Sequence, residues 1–408
     1  MHDLIDRLAA RQDDLVAIRH DLHRHPEMGF EERRTAALVA GKLREWGIQV
    51  EEGVAGTGVV GTLKGRLPGQ RAIALRADMD ALPIHETTGL PHASIHPGVM
   101  HACGHDGHTT MLLGAARYLA ENPNFAGIVH FIFQPAEEGL GGGRRMVEEG
   151  LFERFPADAV FGLHNEPGLA LGRFGIRTGP MLANVDTWSV IFRGTGGHGA
   201  VPHRATDPTQ PLAAFIGALQ GVIGRNLPAR ETGVLSVGHI AAGDVRAPNV
   251  IPFQAQVSGT GRSFKPEVRE IMGRRLRELA ESLATAHGCT AEVEYRHDYP
   301  ALVNTAGEVA LAARAAGALA GAEMVDTDFP PITAGEDFAY MLQARPGAFM
   351  LVGNGVAEDG SFHHVHTPKF DFNDALIPVG AAYWVSLVAH ALGDATDAAG
   401  NGKAGNGE

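Results

Sequence analysis

Three short apolar runs that each end abruptly in acids or histidines limit this chain more than any other feature. Ala72-Ile73-Ala74-Leu75-Arg76-Ala77 runs into Asp78-Met79-Asp80, and Ile128-Val129-His130-Phe131-Ile132-Phe133 runs into Gln134-Pro135-Ala136-Glu137-Glu138. Ala159-Val160-Phe161-Gly162-Leu163 runs into His164-Asn165-Glu166. Between the first two lies a stretch with helical spacing, 109–119. Near-continuous apolar strands alternating with helices predict an α/β fold built on a mostly parallel sheet with helices on both faces. In such sheets ligands sit beyond the carboxyl ends of the strands. The polar clusters are therefore expected to share one site.

The surrounding pattern divides the chain. Leu4, Leu8, Leu15, Ile18 and Leu22 predict a helix over 3–22, and a second over 32–46 stops at Gly47. From 185 the grammar changes: strand 185–192, helix 207–223, strands 234–240 and 251–258, helix 267–286 and strand 290–295. The order strand–helix–strand–strand–helix–strand is that of a ferredoxin-like α+β unit, inserted here into the larger domain. Helix 308–320, strand 348–352 and helix 374–392 complete the main domain. The expected boundaries are 1–183 and 297–392 for the two parts of the main domain and 184–296 for the insert. A small, polar tail over 393–408 is expected to be disordered.

A net charge of −13 over 408 residues argues against a nucleic-acid partner. No run approaches the roughly 20 apolar residues of a membrane helix. Two cysteines, Cys103 and Cys289, and no apolar leader in the first fifteen residues suit a cytoplasmic protein.

The chemistry concentrates in Met100-His101-Ala102-Cys103-Gly104-His105-Asp106-Gly107-His108, with Glu137-Glu138, His164 and His363-His364-Val365-His366 as further candidates. Water is a poor nucleophile toward an amide, and a bound metal lowers its pKa from roughly 15.7 to about 7. A two-metal amide hydrolase needs a bridging anion, neutral imidazoles and a carboxylate left free to move a proton. Cys103 supplies the anion; His105, His164 and His366 supply the imidazoles. Adjacent glutamates in an extended segment point opposite ways, so one binds metal and the other acts as general base; spacing does not say which. Each signal has a plainer reading: a solvated Glu-Glu pair, a hydrogen-bonding strand-end histidine, an inert buried cysteine. The cluster His20 to Glu27 also looks like a metal site, but reads as a capped helix end stopped by Pro26. A thiol-nucleophile hydrolase, pairing Cys103 with His105 or His108, is the rival within enzymes. A non-catalytic metal-binding protein is the rival outside them.

With these residues assembled, the chain resembles the M20 metallopeptidases, in the amidohydrolase branch of hippurate hydrolases, aminoacylases and auxin-conjugate hydrolases. The resemblance runs from about residue 15 to 392. It rests on Leu22-His23-Arg24-His25-Pro26-Glu27, Arg76–Ile84, Met100–His108, Gln134–Glu138, Gly197-His198-Gly199-Ala200-Val201-Pro202-His203, Asn249-Val250-Ile251-Pro252 and Glu336-Asp337-Phe338. It implies a metal-dependent exopeptidase-like catalytic domain with Cys103, His105, Glu138, His164 and His366 as ligands to two divalent ions, and Glu137 as general base. Zinc or manganese is expected, with cobalt or nickel as alternatives. Asp80 and Asp106 are expected to orient ligands from behind. The insert resembles the family's lid, which carries the homodimer interface, with hinges expected near 181–184 and 296–300. By the same resemblance His198 stabilises the oxyanion, in relatives from the partner subunit, while Asn249 and Arg262 hold the substrate carboxylate. Gly261 departs from the β-branched residue usual before that arginine, which puts the Arg262 role in question. The implied activity is hydrolysis of N-acyl (aroyl or acetyl) amino acids such as hippurate, through metal-activated water. A dipeptidase or an N-acetyl-diaminopimelate-type deacetylase is the alternative.

Overall fold

A computed structural model describes residues 2–357 and 359–393, so most of the tail expected to be disordered lies outside the described residues. The chain divides into two compact units. The first comprises Met1–Gly179, Val303–Pro330 and Asp337–Glu408; the second comprises Pro180–Leu302 and Pro331–Glu336.

The first unit is organised on an eight-stranded sheet. Its four central strands, in the order Ala126–Gln134, Leu67–Asp78, Ala159–Pro167 and Gly347–Gly355, run parallel. An antiparallel hairpin, Gln49–Val54 and Gly58–Lys64, extends one side, and the short strands Phe174–Gly175 and Val325–Asp326 the other. Ala72 to Asp78 are all buried, which explains a run with no polar alternation: both faces of these strands are covered. Ile73, Leu75, Phe131, Phe161, Leu163 and Met350 face a core shared with helices His105–Glu121, Ala306–Ala320 and Leu376–Leu392. On the other face, Phe349 meets Phe338, beside the helix Ala339–Ala344.

Three expectations need adjusting. The helix read over 3–22 is two helices, His2–Ala9 and Gln12–Arg24. Asp13 and Asp14 favour the new start, lying in its first turn where the helix dipole attracts anions. The helix expected from 109 begins at His105, which puts His105 and His108 one turn apart on one face. Its start depends on Gly104, with φ 98°, where an added Cβ would stand 2.2 Å from Asn165 Oδ1. Finally, His164–Glu166 do not follow their strand but lie inside it, because pairing with the Gly347–Gly355 strand continues to Glu166↔Gly353 and beyond.

The second unit holds a four-stranded antiparallel sheet of Val185–Arg193, Gly233–Ala242, Gln254–Ser263 and Thr290–Tyr299. In space the order is second, third, first, fourth, the ferredoxin-like arrangement. Trp188, Val190, Phe192, Val257 and Leu235 pack against Phe215 and Leu219 of Thr209–Asn226 and Met272 and Leu276 of Pro266–Ala286. No helix of the described residues is long and apolar enough to cross a membrane.

Candidate metal centre

Four segments of the first unit deliver the expected ligands to one place. Cys103 sits in the turn before the helix His105–Glu121, and His105 opens that helix. Glu137 and Glu138 follow the strand Ala126–Gln134, and His164 lies on Ala159–Pro167. His366 comes from the segment before the last helix, its backbone N–H donating to Ala102 O at 2.7 Å. One ligand atom each from Cys103, His105 and His164 lies within 4.8 Å of the others; the same holds for Cys103, Glu138 and His366, and for His105, Glu137 and Glu138.

The hydrogen bonds decide which nitrogens are available. His164 Nδ1 bonds to Asn165 O at 2.7 Å, which puts its proton on Nδ1 and leaves the Nε2 lone pair 3.4 Å from Cys103 Sγ. His105 Nδ1 bonds to Asp80 Oδ1 at 3.2 Å, while its buried Nε2 has no hydrogen-bond partner among the described residues. Glu138 Oε1 lies 3.1 Å from His366 Nε2 but without hydrogen-bond geometry. Buried polar atoms are normally satisfied. A set of imidazole, carboxylate and thiol donors with atoms left over fits divalent ions.

Electrostatics agree. The nearby Cys103 and Glu138, outweighing burial, hold His366 protonated up to about 10. Burial, with the Glu138 carboxylate, raises the Cys103 thiol against the pull of His105 and His366. Burial would push Asp78 up, but His105, Arg76 and His108 keep its carboxyl well below the usual range.

The supporting acids divide differently from expectation. Asp80 lies behind two candidate ligands: it bonds His105 Nδ1 at 3.2 Å and accepts the Glu138 backbone N–H at 2.9 Å. Asp106 does not reach a candidate ligand through its bonds. Its Oδ2 takes Arg19 Nε and His23 Nδ1, each at 2.8 Å, because consecutive residues of a helix project about 100° apart. Both nitrogens of His108 have hydrogen-bond partners, Asp78 at Nδ1 and Asn165 at Nε2, each at 2.6 Å. In the His20 to Glu27 cluster, His23 is buried against Asp106 and Glu86.

Two supporting groups went unassigned in the sequence. Asp337 donates its backbone N–H to Glu137 Oε1 at 3.3 Å, and its carboxylate takes Gln134, Arg76 and the Gly143 N–H. Asn165 fixes His108 from the strand. The signal for Asp337 was its place in the quoted Glu336-Asp337-Phe338 motif; Asn165 had none beyond its position beside His164.

The remaining candidates belong to the second unit. His198 and Asn249 are neighbours there: the short strands Gly197–His198 and Val250–Ile251 pair, and Gly199 N donates to Asn249 O at 2.8 Å. His198 is exposed, and its Nδ1 accepts the Ala200 N–H at 3.0 Å. Its proton therefore sits on Nε2, ready to donate. Arg262 is half-buried and its guanidinium bonds only to Gly261 O among the described residues. A Cβ on Gly261 would come within 2.8 Å of the Tyr295 hydroxyl, which donates to buried Asp186. Glycine stands there because Tyr295 occupies the space.

The chain is similar to known proteins over most of its length. Residues 74–390 match the family described as Peptidase family M20/M25/M40. The hippurate hydrolase of Campylobacter jejuni is 39% identical over 94% of this chain and 98% of its own length. An N-acetyl-L-cysteine deacetylase of Bacillus subtilis is 40% identical over 96% of this chain and 91% of its own. The crystal structure of a dinuclear metal-binding peptidase of the M20 family, also from Bacillus subtilis, superposes with a TM-score of 0.81 at 34% identity, covering 94% and 99% of the two chains. The chain belongs to the M20 peptidase family and is a metallo-amidohydrolase.

Proposed function

We propose that the protein hydrolyses the acyl–nitrogen bond of N-acyl amino acids, with hippurate-like N-aroyl and N-acetyl substrates first. The observation that carries this reading is the convergence of Cys103, His105, Glu138, His164 and His366, with buried donor atoms of His105 and Glu138 left without hydrogen bonds, and Glu137 beside them. Those five residues would hold two divalent ions, zinc or manganese before cobalt or nickel, which lower the pKa of water and polarise the substrate carbonyl. Glu137 takes the proton of the attacking water and returns it to the leaving nitrogen. Its carboxylate is aimed by the Asp337 N–H. Asp80 orients His105 and the Glu138 backbone. His198, protonated at Nε2, donates to the oxyanion, and Asn249 and Arg262 bind the substrate carboxylate, Arg262 by a bidentate pair. The ferredoxin-like unit acts as lid and as homodimer interface, and the protein works in the cytoplasm, a compartment that suits its two free cysteines.

The test is to measure metal per subunit, then titrate chelated protein with each metal against hippurate, N-acetyl amino acids and dipeptides. Two ions per subunit and metal-dependent release of the amino acid are expected. Metal-independent turnover blocked by thiol alkylation would move the reading to a Cys103 nucleophile, and preference for dipeptides to a dipeptidase.

A further inference from the structure

The loop that carries Glu137 and Glu138 contains a residue in an unfavourable conformation. Ala136, immediately before Glu137, has φ 53°, in the left-handed region that L-residues other than glycine, asparagine and aspartate seldom enter. Something must hold it there. Its N–H donates to Glu32 Oε1 at 2.8 Å, and its carbonyl accepts the Gly142 N–H at 2.9 Å. Gly29 packs against it so closely that a Cβ at 29 would stand 3.0 Å from Ala136 Cα.

Glu32 is an odd residue to find in this position. It is fully buried, pairs with no cation among the described residues, and takes only the Thr57 hydroxyl on its other oxygen. Burial, with Asp80 adding to it, leaves its carboxyl at about 7. A buried acid without a cation is costly, so what it holds in place matters. The peptide N–H groups on either side of Glu137 are each captured by a separate buried carboxylate, Ala136 by Glu32 and Glu138 by Asp80. With both neighbours pinned, the direction in which Glu137 leaves the backbone is set.

We propose that Glu32 is a positioning residue for hydrolysis: by holding Ala136 in the left-handed conformation it aims Glu137 at the reacting water. This rests on the reading of Glu137 as general base.

The experiment compares metal-loaded wild type with Glu32→Met, Glu32→Gln, Glu32→Met/Ala136→Gly and Glu137→Gln. For each, kcat and KM on the N-acyl amino acid that the wild type turns over best, bound metal per subunit and the thermal midpoint are measured. Glu32→Met removes the acceptor and should lower kcat about 10- to 100-fold, the usual cost of losing such a supporting partner, with KM and bound metal unchanged. Glu32→Gln keeps an acceptor oxygen and should recover most of the loss. Adding Ala136→Gly should recover part of it, because glycine adopts this φ without being held; a merely structural role for Glu32 would not be repaired there. Wild-type kcat in Glu32→Met, a loss that only follows bound metal or folded fraction, or no recovery on adding Ala136→Gly would overturn the proposal. Should Glu32→Met not fold, Thr57→Val, which frees the other carboxylate oxygen, takes its place. A several-fold drop in kcat at constant KM and metal supports the proposal, and an unchanged kcat overturns it. The control separates two failures. Full activity in Glu137→Gln sinks the base assignment and the Glu32 proposal with it, whereas an inactive Glu137→Gln beside a fully active Glu32→Met sinks the Glu32 proposal alone.

Discussion

Two clusters of histidines and acids lie on either side of the first turn of the helix His105–Glu121, and they have opposite characters. On one side His105 faces Asp80, Glu137 and Glu138 with its Nε2 left without a hydrogen bond. On the other, Asp106 faces Arg19 and His23. Arg19 is wholly buried and also bonds Asp371, Asp374 and His92. The second cluster thus contains its own cation, in a planar side chain whose five donors suit several acceptors at once. The first gathers acids and imidazoles with donor atoms left without hydrogen bonds, and Cys103 and Glu138 hold His366 protonated up to about 10. A cluster of metal-ligand residue types is a candidate metal site where donor atoms are left without hydrogen bonds, and a structural knot where a guanidinium already balances its acids.

That contrast predicts loss of activity without loss of stability on one side, and the reverse on the other. The largest effect belongs to Glu137→Gln. It should lower kcat by roughly 10² to 10⁴, the range that a positioned general base contributes, while bound metal and the unfolding midpoint stay at wild-type values. A variant that kept its turnover would end the assignment of Glu137. Next is Arg19→Met, which strands Asp106, Asp371 and Asp374 without their cation. Breaking a buried pair from one side costs about 3–5 kcal/mol, read from urea unfolding. Wild-type stability there would mean that the knot is not structural.

The smallest effect is a pH slope. Burial pulls His23 down, but Asp106 and Glu86 overcome it and hold the imidazole at about 9, against an ordinary 6.5. A group raised in the folded state contributes stability that is complete below its unfolded pKa and is lost as pH rises through the folded one. Stability should therefore fall by about 3 kcal/mol between roughly pH 6.5 and 9, at 1.36 kcal/mol per unit. His23→Gln should flatten the slope, and an unchanged slope in that variant would place its origin elsewhere.

Much of this was legible before any coordinates. The strands of the parallel sheet could be read because strands buried on both faces require unbroken apolar runs, and the candidate site because each run leads into acids or histidines. The ferredoxin-like order followed from period alone. Other features could not be read. Whether His23 or His105 belonged to a metal site depended on Arg19 meeting Asp371, 352 residues away in the chain. The resemblance implies that Asp106, like Asp80, orients a metal ligand, yet the helix turns it toward Arg19 and His23. Gly261 looked like a departure from pattern until Tyr295 was found filling the space.

The sequence by itself determined the sheet, the insert and the inventory of donors, because hydrophobic period and residue chemistry are local properties. Only the tertiary structure decided which nitrogen of each histidine is free, which acid stands behind which ligand, and that Ala136 must be held left-handed for Glu137 to leave the chain as it does. Those outcomes depend on partners supplied from distant segments, and a hydrogen bond is made or missed within a few tenths of an ångström, a distance that spacing along the chain does not encode.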